Sequence, residues 1–544
     1  QCVSWDLHRT KTRYHWIYVC LLVKNIVSCN SKNLKAILFQ MKTNPNNNWF
    51  SWECKNGFCQ KANQSVATEY FKSLSRCTLL CTGPQLWPHP TGLKFFGREI
   101  VALAKNKLSF KYKKVPSETV NSYLNDTIIL FQRNLARLEV TDLKEASLDL
   151  ALKELYIEVD VDSDCDPRLR LDTNESYALT VNTTDKVNVA IKSPSFCGVR
   201  HGLETLSQLI LLDQSTGHLI TLTNVTIEDS PSYKYRGLMI DTAKNCIPLI
   251  DILRTIDTMS MSKLNTFHWR ISEATFPTLK FNFPQLFAYS EYEKEIVYTT
   301  EDIKSLLKYA GNRGIRVLIE VAAPEPESRA FSWISDATKK ESNLTSNALC
   351  HKLKMLESVF YVLEAFYSYI IKLTENNDVF HLSDSLFLFV ECFDLMEDRE
   401  RFLEKVLANL RSANNGSLPK LPVIWYNANL TSKLSWMWYD FGVQLHEDKL
   451  PDSRLSKYKL IQSTRWNLSC KMTKHRCVKY KTWQEMYGWK KWRNLEALSI
   501  EGGEAVLWTD LENVEKNIVP FISELYHAIN LFFFFKLYNV ICIL

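Results

Sequence analysis

Residues 235–271 read YRGLMIDTAKNCIPLIDILRTIDTMSMSKLNTFHWRI, and this stretch decides the fold. The apolar runs at 237–241 and 265–271 have the length of buried strands. Between them, Ile252, Leu253, Ile256 and Met259 recur at helical spacing and share one face. Strand, helix, strand is the unit of a parallel sheet, because parallel neighbours need a crossover connection. The alternation continues toward the C-terminus, with further candidate strands at 316–321, 379–382, 422–426, 441–446, 459–462 and 504–508. Thr299-Thr300-Glu301-Asp302 reads as a helix start, and Gly314 stops that helix before the next strand. Eight such strands predict a (β/α)8 barrel, whose chemistry sits at the C-terminal ends of its strands.

Upstream the rhythm differs. LYIEVDVD (155–162), 177–181 and 187–191 alternate apolar and polar residues, as half-buried strands do, and Leu203, Leu206, Ser207 and Ile210 follow helical spacing. Residues 93–232 therefore read as a small α+β domain with an antiparallel sheet ahead of a barrel at 233–529. Residues 47–92 form a Cys-rich segment in which Cys54, Cys59, Cys77 and Cys81 suit two disulfides, with a zinc site as the rival reading. Residues 1–46 read as a leader region: Arg9, Lys11 and Arg13 precede the apolar run 16–23, as in a signal peptide, although a buried strand or helix fits too. The tail 530–544 is apolar but short and interrupted by Lys536 and Asn539, so it is not read as a membrane span.

Composition narrows the class. Hydrophobic residues make up 46% and charged residues 23%, which excludes a wholly disordered chain. The net charge of +6 is scattered, with no basic block, so nucleic acid is not an expected partner. Fifteen Cys are many for a cytosolic enzyme, and sequons begin at Asn63, Asn125, Asn174, Asn182, Asn224, Asn343, Asn415, Asn429 and Asn467. Together they predict a secreted or lysosomal glycoprotein. No His/Cys/Asp set has metal-ligand spacing and no phosphate-cradling loop is present, so neither metal nor cofactor is expected.

Longer runs carry a resemblance. YKYRGLMIDTAKN (233–245), MSKLNTFHWRIS (261–272), GVRHGLETLSQLI (198–210), YTTEDIKSLLKYAGNRGIRVLIE (298–320) and GGEAVLW (502–508) resemble glycoside hydrolase family 20. WECKNGFC and LWPHPTG (86–92) resemble its arthropod members, which act on chitin oligosaccharides or glycoprotein N-glycans. The resemblance implies β-N-acetylhexosaminidase chemistry on a GlcNAc-containing oligosaccharide or glycan, and homodimerisation in addition. In that chemistry the substrate's acetamido oxygen attacks the anomeric carbon, a Glu protonates the leaving oxygen and an adjacent Asp orients the acetamido group. Both acids end strand four in the pattern His-x-Gly-Gly-Asp-Glu.

This chain departs from that pattern. Its strand four reads VFHLSDSLFLFVECF. His381 matches, but Ser383 and Asp384 replace the two Gly, Ser385 replaces the Asp and Leu386 replaces the Glu. A one-residue gap brings Asp384 onto the Asp position and still leaves Ser385 at the acid position. Leucine has no proton to give, and a serine hydroxyl is far too weak an acid. Further departures are Ala322 and Pro326 for Asp and His after strand three, Arg270 for His after strand two, His446 for a pocket Trp, and Asn467-Leu468-Ser469 for Tyr-Leu-Asp.

By resemblance, Arg236 would grip sugar hydroxyls at the pocket floor, though a salt bridge to Asp241 is its second reading. Trp425 and Trp508 would wall the pocket, or pack the barrel, and Asp510 would bond outer hydroxyls. By position, Cys350 would pair with Cys392 and Cys470 with Cys477, while Cys165, Cys197 and Cys246 have no evident partner. No residue is assigned as catalytic. The expected protein is inactive or strongly impaired, a carbohydrate-binding pseudoenzyme. The alternatives are an active hexosaminidase with a displaced acid, for which Asp384, Glu325, Glu327 and above all Glu391 are candidates, and an eroding gene copy.

Overall fold

The structure is a computed structural model that describes residues 51–62, 73–138, 151–162, 164–242, 247–272, 298–322, 357–383, 396–426, 441–445, 453–463, 466–468, 471–473, 476–478 and 499–508. The first hairpin pairs β1 (Ser51–Lys55) with β2 (Phe58–Ala62), and the short helix α1 (Leu74–Cys77) lies beside it. Cys54–Cys81 and Cys59–Cys77 close two disulfides there. The four-Cys set is thus oxidised rather than a zinc ligand set, whereas Cys165 and Cys197 remain thiols.

The next unit is an eight-stranded sheet of β3 (Lys94–Phe96), β4 (Ile100–Lys114), β5 (Lys153–Val161), β6 (Tyr177–Thr183), β7 (Val187–Ser193), β8 (Leu211–Leu212), β9 (Leu219–Leu222) and β10 (Asn224–Asp229). Most neighbours are antiparallel, as expected; β4–β5 and β5–β7 are parallel. Helix α2 (Glu118–Leu138) lies in the connection from β4 to β5, the kind of crossover that parallel strands require. The alternation read in 155–162 is real: Leu155, Ile157, Val159 and Val161 are all buried. They pack with one face of α3 (Phe196–Leu209), where Phe196, Val199, Leu203 and Leu206 lie in the same core. The sequon residues Asn125, Asn174, Asn182, Asn224 and Asn415 are exposed, as glycan attachment needs.

All eight strands expected of the barrel form. They are β11 (Tyr235–Asp241), β12 (Thr266–Ser272), β13 (Arg316–Ala322), β14 (Val379–Leu382), β15 (Leu421–Trp425), β16 (Gly442–Leu445), β17 (Lys459–Gln462) and, after the small hairpin β18 (Lys471–Thr473) and β19 (Arg476–Val478), β20 (Ser499–Leu507). The order is β13-β12-β11-β20-β17-β16-β15-β14, parallel throughout. Strands β13 and β14, the two ends of that order, lie against each other and close the ring. Between strands run α4 (Leu249–Met261), α5 (Thr300–Gly311), α6 (Glu357–Thr374) and α7 (Met396–Ala413). Helix α5 starts at the expected place: Thr299 accepts from the Asp302 backbone while the Asp302 side chain accepts from that of Thr299. The described helices contain none long and apolar enough to cross a membrane.

Side chains of each barrel strand alternate between two environments. In β11, Leu238 and Ile240 face the helices, in one cluster with Ile252, Ile256 and Met259 of α4, while Tyr235 and Met239 face the barrel interior. Strand β20 approaches β11 so closely that a Cβ on Gly502 would sit 1.7 Å from the Tyr235 carbonyl oxygen. Gly502→Ala must therefore push the two strands apart, and is expected to cost at least the ~1–3 kcal/mol typical of overpacking. A thermal melt unchanged from wild type would contradict this packing.

Candidate active site

Near the mouth of the barrel the inward positions carry charge. His268 and Arg270 come from β12, Glu320 from β13, His381 from β14, Trp425 from β15, Gln444 from β16, Glu504 from β20 and Asp241 from β11. His268, Glu320, Glu504 and Asp241 are fully buried. Such burial is tolerated only where charges are paired, and here they are. His268 Nδ1 lies 2.9 Å from Glu504 Oε1, and its Nε2 lies 2.9 Å from Glu320 Oε2. His381 Nδ1 is 3.5 Å from the same Glu320 oxygen, and its Nε2 is 3.2 Å from Gln444 Oε1. Gln444 Nε2 donates to Glu504 Oε1 (2.6 Å) and Ser463 Oγ (3.0 Å), which fixes the orientation of the amide. Tyr235 Oη donates to the other Glu504 oxygen at 2.6 Å.

One layer further out, Trp425 Nε1 donates to both oxygens of Glu320 at 3.1 Å. The Arg270 guanidinium lies 3.5 Å from Glu320, bonds Asp241 at 3.2 Å and sits over the Trp508 ring, 5.2 Å from its centre. The rings of Trp425 and Trp508 are 5.4 Å apart. The two expected aromatic walls are thus neighbours, with Trp425 buried and Trp508 partly exposed.

Burial pushes the Glu320 carboxyl up, but His381, His268 and Arg270 outweigh it and hold the group far below the usual carboxylate range. Burial pushes His268 down, but Glu504 and Glu320 outweigh that and raise it to about 9. A general acid needs a pKa near the working pH. Glu320, locked as an anion, cannot protonate a leaving group.

Arg236 is placed elsewhere. It lies on β11 one residue out of phase with Tyr235 and Gly237, at the end of the strand away from the mouth. Its guanidinium bonds Glu175 through Nη1 (2.9 Å) and Nη2 (2.5 Å), and also the carbonyls of Lys263 and Tyr233. This corrects both readings of Arg236: it is a joint between the barrel and the smaller sheet unit, and Asp241 accepts from Arg270 instead. A second joint beside it binds Lys263 Nζ to Asp229 (3.1 Å) and to Tyr177 Oη (2.9 Å). Asp384, Ser385, Leu386, Glu391, Asp510, His446, Glu325, Pro326, Glu327, Ser469, Cys246, Cys350, Cys392 and Cys470 lie outside the described residues, as do the side chains of Ala322 and Cys477.

Sequence reading missed Glu504, Gln444 and Glu175. The period-two pattern was the available signal for the first two, since Glu504 alternates with Val506 and Trp508.

The Arg236 joint has a pH signature. Burial raises Glu175, but Arg236 and His201 overcome it and lower the carboxyl to about 2. Burial lowers His201 to about 4, against the pull of Glu175. Both folded values lie below the unfolded ones, near 4.5 and 6.5, so both contributions are complete above pH ~6.5 and are lost as pH falls toward 2. His268 works in the opposite sense, with a contribution complete below pH ~6.5 and lost as pH rises through 9. The melting temperature should therefore peak near neutrality and fall on the acid side; a flat profile from pH 7 to pH 4 would contradict the Glu175–His201 assignment.

Comparison with known proteins agrees with this architecture. The glycosyl hydrolase family 20 catalytic domain matches residues 233–386, and the beta-acetyl hexosaminidase-like domain matches residues 86–209. The protein described as "Probable beta-hexosaminidase fdl" of Drosophila melanogaster is 26% identical over 540 residues, covering 86% of this chain and 81% of that one. The chitooligosaccharidolytic beta-N-acetylglucosaminidase of Ostrinia furnacalis is 30% identical over 409 residues, covering 70% of this chain and 68% of that one. Among solved structures, the chitobiase of Flavobacterium johnsoniae superposes with a TM-score of 0.58 at 20% identity, covering 84% of this chain and 70% of that one, a likeness of fold. With this barrel, this preceding unit and relatives of this identity and coverage, the chain belongs to glycosyl hydrolase family 20.

Proposed function

We propose that this β-hexosaminidase-like chain is an inactive or strongly impaired member of its family, a pseudoenzyme that binds GlcNAc-containing oligosaccharides. One observation carries the reading: where the family places Asp-Glu after strand four, this chain has Ser385-Leu386. A positioned general acid contributes about 10²–10⁴-fold, and the acetamido-orienting carboxylate adds an electrostatic share of its own. The buried carboxylates described at this site are already engaged: Glu320 is held ionised, Glu504 accepts from Tyr235 and Gln444, and Asp241 accepts from Arg270. Trp425 and Trp508 supply the aromatic wall on which a sugar ring stacks, with Asp510 as a partner for outer hydroxyls. Relatives named for chitooligosaccharide cleavage support chitin fragments as the ligand class. The exposed sequon residues and the two disulfides support a secreted or lysosomal glycoprotein, and homodimerisation and the division at residues 47, 93, 233 and 529 belong to the same proposal.

The test offers purified protein a chromogenic N-acetylglucosaminide and, separately, chitooligosaccharides in a calorimeter. No turnover with saturable binding is the expected result. Turnover abolished by Glu391→Gln would overturn inactivity in favour of a displaced acid. Absence of both turnover and binding would overturn the sugar-binding role.

A further inference from the structure

We infer that His268, Glu320 and His381 form a divalent-cation site of the zinc class, placed where the barrel wall closes. The three residues come from β12, β13 and β14, far apart in sequence, and their donor atoms all lie within 4.8 Å of one another. Glu320 Oε2 is 2.9 Å from His268 Nε2 and 3.5 Å from His381 Nδ1. Tetrahedral zinc with bonds of about 2.0–2.2 Å sets its ligand atoms roughly 3.3 Å apart, between these two values.

The outer nitrogen of each ring is already committed. His268 Nδ1 faces a Glu504 oxygen, which only accepts, so this nitrogen carries a proton. His381 Nε2 faces the amide oxygen of Gln444, whose NH₂ donates to Glu504 and Ser463, so this nitrogen carries a proton too. The remaining nitrogens, His268 Nε2 and His381 Nδ1, both face the same oxygen of the Glu320 carboxylate. Something positive must lie between each of these nitrogens and the carboxylate: a proton on each ring, or one cation shared by all three groups. Two extra protons would serve, at the cost of two imidazolium rings whose centres lie 4.6 Å apart in a buried site. One divalent cation does the same with neutral rings. Among the described residues, the Glu320, Glu504 and Asp241 carboxylates converge here.

The surrounding contacts are those that hold metal ligands in place. A carboxylate behind one histidine and an amide oxygen behind the other fix both tautomers, and the Trp425 indole N–H orients the carboxylate. Bound there, the ion joins β13 and β14, the two strands at the ends of the hydrogen-bonded order, and so pins the seam. Among the described residues the other converging set, Cys59, Cys77 and Cys81, is consumed by disulfides.

The experiment uses untagged full-length protein, stripped with chelator, re-equilibrated with zinc and dialysed. One zinc per chain by mass spectrometry of the metal is expected, with a melting temperature raised by several degrees over the stripped protein. Cobalt in place of zinc should give visible d–d bands without a thiolate charge-transfer band, which separates this site from Cys165 or Cys197. His381→Gln and His268→Gln should each abolish stoichiometric binding. If either variant fails to fold, the wild-type stoichiometry and cobalt spectrum decide alone. Wild-type protein that retains no stoichiometric zinc, a cobalt spectrum with thiolate character, or folded variants that bind like wild type would each overturn the site. The outcome is independent of whether the chain hydrolyses sugars.

Discussion

Glu175→Ala is expected to destabilise the protein by about 3–5 kcal/mol, the cost of leaving a buried charge without its partner. The carboxylate accepts from both terminal nitrogens of Arg236, lies 2.9 Å from His201 Nε2 and accepts from Asn265 Nδ2 at 3.0 Å. Arg236 is fully buried, and the carbonyls of Tyr233 and Lys263, which its guanidinium also contacts, carry no compensating charge. Glu175→Gln, which keeps the shape and one acceptor, should cost less. The contrast is Lys420→Ala, which removes a surface pair with Asp172 whose side chains are 60% and 67% exposed, and which should leave the melting temperature unchanged. Equal melting temperatures for Glu175→Ala and Lys420→Ala would remove the joint from the account of stability.

The second large effect is catalytic. The double change Ser385→Asp with Leu386→Glu restores the family's acidic pair in sequence. Turnover of a chromogenic N-acetylglucosaminide is expected to rise by no more than the ~10²–10⁴-fold that a general acid supplies. It should remain far below that of a functional family member, because Ala322 and Pro326 still stand where the pattern has Asp and His. Steady-state kcat/KM of the double variant against such a member reads this directly. Full recovery would mean that those two positions matter little and that the loss is confined to one dipeptide.

The fold was legible because its signals are local and repeated. Apolar runs such as LPVIW and VFHL, separated by helical periodicity, mark the barrel strands without any knowledge of contacts. The charged cluster was not legible in the same way. His268, Glu320, His381, Gln444 and Glu504 are single polar letters inside apolar strands, and only closure of the ring brings them within bonding distance. Arg236 shows a finer failure. The resemblance placed it at the sugar, but strand parity was readable: Asp241 ends β11 in phase with Tyr235, Gly237 and Met239, and Arg236 is in phase with Leu238 and Ile240 instead. Its partner Glu175 lies 61 residues upstream, with no pattern to announce it.

The web of ion pairs beneath the barrel mouth draws on the barrel strands themselves: Tyr235, Gln444, Trp425 and Arg270 supply donors to its carboxylates. Architecture and chemistry are thereby uncoupled in this scaffold. Letters on the rim can therefore change without undermining the floor they stand on.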